Sequence, residues 1–174
     1  MGDTAITIFT IFLAALLLFV APMMAMSDRS NDISQLAVQT ATTEFVNKCT
    51  KTGKITLEDY EKFVEEISAT GNSFDVEIEV LVLDENLSKK GTQTQTTKIG
   101  ENVYYSLYTT QIMEALEKNP TYKLKEGDMV SVKVKNTNET MSQTLRNFFF
   151  KVTGNDTYEL AGNDAGIVTV NGSN

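Results

Sequence analysis

The stretch 5-AITIFTIFLAALLLFVAPMMAM-26 decides how this chain is built, because the 22 residues from Ala5 to Met26 pass without one charged side chain. As a helix rising ~1.5 Å per residue it would be about 33 Å long, enough for a hydrocarbon core of roughly 30 Å. A helix on the surface of a soluble core would carry a polar stripe at period 3.6. Here only Thr7 and Thr10 interrupt the apolar surface, and both hydroxyls can bond back to a carbonyl of their own helix. The segment therefore reads as a membrane span. Pro22, in its last third, removes one backbone donor and predicts a kink unless a neighbour re-satisfies the freed carbonyl. The competing reading, a cleaved signal peptide, needs a basic leading region, a shorter apolar run and a small-x-small cleavage site. Asp3 is instead the only ionisable side chain before the run, and bulky Met23 stands two residues before Ala25. Retention of residues 1–29 as an anchor is the expectation. Charge says little about orientation, since Arg29, flanked by Asp28 and Asp32, is the only basic residue close to the far end.

Beyond the anchor, residues 30–174 are one domain's worth of chain, long enough for a single hydrophobic core. The net charge of −8 lies almost entirely in this part. Such a surface is repelled by nucleic acid and by anionic headgroups, so nucleic acid is not expected as a partner. The chain has no histidine, which removes serine-histidine triads, histidine-ligated metals and the commonest general base. The expectation is no enzyme, with no catalytic, cofactor or metal residues. The single cysteine, Cys49, has no partner for an internal disulfide and reads as a small semi-buried apolar residue beyond the membrane-proximal helix, within reach of an impermeant maleimide.

Leaving the membrane, Ile33, Leu36, Ala37, Thr40, Ala41 and Phe45 fall at helical spacing. They predict an amphipathic continuation over about Ser30 to Asn47, stopped near Gly53, with a possible short break at SDRSND, and its apolar stripe is expected to face the chain's own sheet. ITLEDYEKFVEEISATGN predicts a helix capped by Thr56, with Asp59 three residues on, Gly71 as its stop and Tyr60, Phe63, Val64 and Ile67 buried. Its acids Glu58, Asp59, Glu61, Glu65 and Glu66 read as a solvated face and a favourable first turn rather than a metal site. SFDVEIEVLVLDEN alternates, with Phe74, Val76, Ile78, Val80 and Val82 on one face and Asp75, Glu77 and Glu79 on the other. YKLKEGDMVSVKVKNTN does the same with Val130, Val132 and Val134 against Ser131, Lys133 and Lys135. Strands at Phe74 to Leu83 and Met129 to Lys135 should lie antiparallel and adjacent, setting Glu77 and Glu79 near Lys133 and Lys135.

Between them, LSKKGTQTQTTKIGEN reads as a loop or edge hairpin turning at Gly91. VYYSLYTTQIMEALEKNP reads as a helix with Tyr105, Tyr108, Ile112, Ala115 and Leu116 on one side, ending before Pro120. Its tyrosines, Tyr104, Tyr105 and Tyr108, are candidates for a binding platform, though packing is the commoner use. Met141, Leu145, Phe148, Phe149 and Val152 predict another helix stopped by Gly154, and Gly166 to Val170 a last strand. Acceptor patterns for glycosylation at Asn86, Asn138, Asn155 and Asn171 are expected by chance in a chain this rich in Asn and Thr.

The layout is α+β: a long N-terminal helix, transmembrane and then amphipathic, with a small antiparallel-sheet head packed by short helices. That layout, with the segments APMMAMSDRSNDISQ, TGKITLEDYEKF, TGNSFDVEIEVLVLDEN and SQTLRNFFFKVTGNDTY, resembles small membrane-anchored, pilin-like proteins of Tad-type pilus or type II secretion-like systems in Gram-positive bacteria. The resemblance covers nearly the whole chain and departs at one point, since Thr7 would stand where mature type IV pilins carry a glutamate. It implies a minor structural component of a surface fibre or secretion apparatus, single-pass in the cytoplasmic membrane with an extracellular head. Its partners would be the bilayer and other subunits of the apparatus. The alternative is a bitopic protein whose head binds a soluble ligand or the cell wall.

Overall fold

Helix α1 runs unbroken from Gly2 to Thr52, so the apolar stretch and its continuation form one rod about 76 Å long at ~1.5 Å per residue. No break occurs at Ser27 to Asp32, and Pro22 lies inside the helix. The hydroxyls of Thr7 and Thr10 donate to the carbonyls of Asp3 and Ile6, each at 2.8 Å, as their positions predict. α1 continues one turn past the predicted Asn47 and stops where expected. Gly53 takes φ +65° and its N–H donates to the Cys49 carbonyl at 2.9 Å, a left-handed stop that glycine adopts without a side-chain penalty. The computed structural model describes residues 2–83, 104–138, 144 and 161–172. The predicted hairpin around Gly91, the helix from Met141 to Val152 apart from Thr144, the Phe148-Phe149-Phe150 run and the acceptor positions Asn86 and Asn155 lie outside them.

After α1 come β1 (Lys54–Thr56), α2 (Leu57–Ser68), β2 (Phe74–Leu83), β3 (Tyr104–Tyr108), α3 (Thr109–Lys118), β4 (Thr121–Lys123), β5 (Met129–Asn136) and β6 (Ala161–Ile167). The described residues form two antiparallel sheets, a small β1-β4 pair and a four-stranded sheet in the order β3-β2-β5-β6. This is the α+β architecture expected. The β1-β4 pair was not legible locally, because three-residue strands carry too little alternation to read.

β2 and β5 pair as the alternation requires: Val76 lies opposite Val134, Ile78 opposite Val132 and Val80 opposite Val130, all on the inner face. On the outer face Glu77 meets Lys133 and Asp75 meets Lys135, while Glu79 lies opposite Ser131 and accepts from the Ser106 hydroxyl at 2.8 Å. Glu77 thus lies by Lys133 as expected, whereas Asp75 rather than Glu79 is the residue opposite Lys135. Core methyls carry the stability here, because cross-strand charges are worth only ~0.2 to 1 kcal/mol each. Val132→Ala is expected to cost about 2 kcal/mol and Lys133→Ala under about 0.5, read as separated denaturant midpoints at unchanged slope. Equal midpoints would reverse the assignment of faces.

α2 follows its capping signals. The Thr56 hydroxyl accepts from the Asp59 N–H at 3.1 Å, and Phe63 and Ile67 are buried. The tyrosine segment departs from expectation, for Tyr104 to Tyr108 is a strand paired with β2, at the edge of the sheet among the described residues, and the helix begins only at Thr109. Tyrosine favours strands, and β2, at ten residues, extends far enough to offer this segment a ladder. The reciprocal bond from the Tyr108 N–H to the Gln111 side chain, 3.1 Å, then fixes the start of α3. The last strand also shifts, from the predicted Gly166 to Val170 to Ala161–Ile167. AGNDAGI is a poor strand by propensity, and its two glycines explain why it is used. A Cβ at Gly162 would lie 2.9 Å from Thr42 Oγ1 and 3.0 Å from Val38 Cγ1, and one at Gly166 would lie 3.0 Å from Thr50 Cγ2. α1 seats directly on these bare backbone positions.

Candidate functional site

The seat chosen by α1 determines which of its faces is left over. Its buried residues are Asn31, Ser34, Val38, Ala41, Thr42, Phe45, Val46, Cys49 and Thr50. Ala41 and Phe45 of the predicted stripe are among them. Ile33, Leu36, Ala37 and Thr40 are not; Ile33 is 66 % and Leu36 69 % exposed, which corrects the expectation that the whole stripe would face the chain's own sheet. The physical cause is size. The face that approaches the glycines of β6 carries Val38, Thr42, Val46 and Thr50, none larger than valine, and Thr42 and Thr50 bury their hydroxyls at little cost by donating to the carbonyls of Val38 and Val46 at 2.7 and 3.0 Å. The signal was present in the sequence as a second stripe of small residues and valines at i+4 spacing, 34, 38, 42, 46 and 50, with glycines four apart in the last strand.

The leftover face forms one wall of a groove between α1 and α2, lined by Ile33, Leu36, Ala37, Thr40, Glu44 and Glu66. Towards the apolar half of α1 it extends past Ser30 to Ala69 and Thr70. Its other end is closed by an ion pair between Lys48 and Asp59 and by Phe45 stacked on Phe63, ring centroids 4.8 Å apart. The hydrogen bond to Asp59 raises the Lys48 ammonium above its ordinary pKa. Burial alone would push the Asp59 carboxyl up, but its bonds to Lys48 and Thr56 outweigh that and hold it low. The pair fastens α2 to α1. Glu58, Glu61, Glu65 and Glu66 are exposed on α2, as a solvated face requires.

On the same rod, Ala14, Ala15 and Ala21 are exposed, as are Phe9, Phe12, Leu18 and Phe19. The tyrosines are not brought together. Tyr104 and Tyr108 point to the outer face of the sheet with Ser106, whereas Tyr105 shares the side of Val82, its partner in β2. The strand period of two splits a group that a helix would have gathered.

Cys49 is 1 % exposed, and burial pushes its thiol up to about 12. The packing role expected for it holds, but the maleimide accessibility does not, because α1 extends past it and seats it in the core. At pH 8 a thiol of that pKa is roughly one part in ten thousand thiolate, the nucleophilic form. Native protein should therefore leave Cys49 unmodified by a disulfide reagent over a time that gives full reaction in denaturant. Stoichiometric native labelling would contradict this burial.

These features define a class: an α+β head on one long helix whose first half is, among the described residues, the single segment long and apolar enough to cross a membrane. No family model, curated protein or solved structure matches this chain.

Proposed function

We propose that this protein is a minor, pilin-like structural subunit of a surface fibre or secretion apparatus, anchored by residues 5–26 with its head outside the cytoplasmic membrane. The observation that carries the reading is the exposed Ile33-Leu36-Ala37-Thr40 face, on the same uninterrupted helix as the exposed span. Large apolar side chains left in water beside a membrane mark a contact surface more often than a free one. Within lipid there is little hydrophobic drive between helices, so association depends on close approach, and Ala14, Ala15 and Ala21 supply small side chains for it.

The test compares two sets of substitutions in cells. Leu36→Asp, and separately Ala14→Leu with Ala15→Leu, should lower co-purification with other envelope proteins and fibre or secretion output at least tenfold, with the head still folded. Tyr104→Phe with Tyr108→Phe should leave both unchanged. The reverse result would favour the second reading, a head that binds a soluble ligand or the cell wall through the exposed Tyr104 and Tyr108 hydroxyls on the outer sheet face. Topology is read with Glu65→Cys, which puts a thiol on the exposed side of α2. It should label in intact protoplasts, and labelling only after lysis would put the head inside.

A further inference from the structure

β6 is an edge strand of the sheet among the described residues, and at Ala161 and Asn163 its outward backbone groups meet side chains where another strand would lie. The Ala161 N–H donates to Gln35 Oε1 at 3.1 Å, while Gln35 Nε2 donates to the Ala161 carbonyl. One turn along, the Asn163 N–H donates to Gln39 Oε1 at 3.3 Å and Gln39 Nε2 donates to the Asn163 carbonyl at 3.0 Å. The match is geometric. Outward-facing residues of a strand recur every ~6.7 Å and residues four apart on a helix every ~6 Å, so two glutamines at i and i+4 can serve two successive outward positions. Each amide uses one N–H and its carbonyl oxygen in one plane, the same donor and acceptor a facing strand would present.

Within its own sequence β6 has few other defences. Residues 161–167, AGNDAGI, contain no lysine, arginine or proline, the residues that usually blunt an edge. The one charge, Asp164, turns back to accept from the Ala165 N–H at 2.9 Å. Farther on, the Thr169 N–H donates to the Thr50 carbonyl at 3.1 Å, so α1 answers the outward donors at 161, 163 and 169. Ala161, Asn163 and Ala165 themselves are exposed.

We infer that Gln35 and Gln39 form an edge guard, a side-chain substitute for a neighbouring strand that keeps β6 from pairing with β6 of a second copy. Two antiparallel β6 strands would place Ala161 opposite Asn163 of the other copy, an arrangement that closes on itself by two-fold symmetry. The guard sits just beyond the span, where membrane anchoring brings copies to high local concentration and holds their β6 edges at similar height.

The test uses the full chain in detergent micelles with Gln35→Met and Gln39→Met together, which keep the side-chain shape and remove the amides. Amide exchange at Ala161 and Asn163 should rise at least tenfold, and light scattering should show added association above whatever the unaltered chain displays. Adding Ala165→Lys, a charge on the opened edge opposite Ser131, should abolish only the added association, because contacts made through the span are indifferent to it. Faster exchange without added association would mean that the glutamines only fasten α1, and unchanged exchange would mean that they do not hold the edge; either overturns the guard. Should the double variant not fold, Gln39→Met alone decides on the same readouts, with association reversed by Ala165→Lys expected and an unchanged mass counting against it.

Discussion

Gly53→Val should unfold the head. Gly53 sits at φ +65°, and a Cβ there would lie 2.1 Å from the Val170 carbonyl oxygen, 2.7 Å from the Gly172 nitrogen and 2.9 Å from the Asn171 carbonyl carbon. All three are backbone atoms, so no side chain can swing away to make room. They belong to a junction that ties three segments together: the Leu124 N–H donates to the Gly53 carbonyl at 2.8 Å, and the Gly172 N–H donates to the Leu124 carbonyl at 3.0 Å. The end of α1, the exit from β4 and the segment after β6 therefore move together or not at all. Strain in the left-handed region costs about 1 to 3 kcal/mol, and displacing 170–172 removes these bonds as well. A loss above about 4 kcal/mol is expected, a large share of the 5 to 15 that holds a domain folded. Gly71 provides the control, since it also has positive φ, +80°, but a Cβ there meets nothing within 4 Å. Gly71→Ala should cost only about 1 kcal/mol. Melting of both variants, followed by near-ultraviolet circular dichroism, separates the two contributions; a Gly53→Val midpoint within a few degrees of Gly71→Ala would show that the junction yields.

A chain shortened to begin at Ser27 is expected to lose its membrane association entirely and its fold not at all. Residues 2–26 are exposed or half-buried, and the first buried residue of α1 is Asn31, so the core of Val38, Phe45, Val46, Phe63, Ile67 and the sheet valines remains intact. The eleven Leu, Ile, Phe and Val residues of the span contribute about −0.3 to −0.6 kcal/mol each to insertion at the centre of a bilayer, together roughly −3 to −7. That is enough to hold the full chain in the membrane through alkaline extraction. Leu16→Arg with Leu17→Arg in the full chain should have the same effect as truncation, because each arginine adds about 2.5 to 3.5 kcal/mol near the span centre. The shortened head should be soluble and melt within about 2 °C of the full chain. A shortened head that stays with the membrane would assign membrane binding to the head, and one that fails to fold would make α1 a single cooperative unit across the bilayer boundary.

What the sequence determined by itself is whatever is written in local periodicity. The uncharged run of Ala5 to Met26, the Thr56 cap with its Phe63 and Ile67 face, the alternating valines of β2 and β5 and the glycine stop at Gly53 are each legible because a helix repeats every 3.6 residues and a strand every two. Those patterns record that an element has two faces, and in β2 and β5 they also told which face is inside, because one face is charged. Only the tertiary structure decided which face of α1 turns inward. Ile33 and Leu36 are more apolar than Thr42 and Thr50, yet close approach to Gly162 and Gly166 admits the smaller side chains and leaves the larger ones in solvent. The same applies to Tyr104 to Tyr108, whose strand state depends on the side of β2 that faces away from β5. It applies also to Gln35 and Gln39, whose partners lie 126 and 124 residues away in sequence. Periodicity along one chain segment carries no record of the shape it will meet, and in these three places that shape outweighs local hydrophobicity.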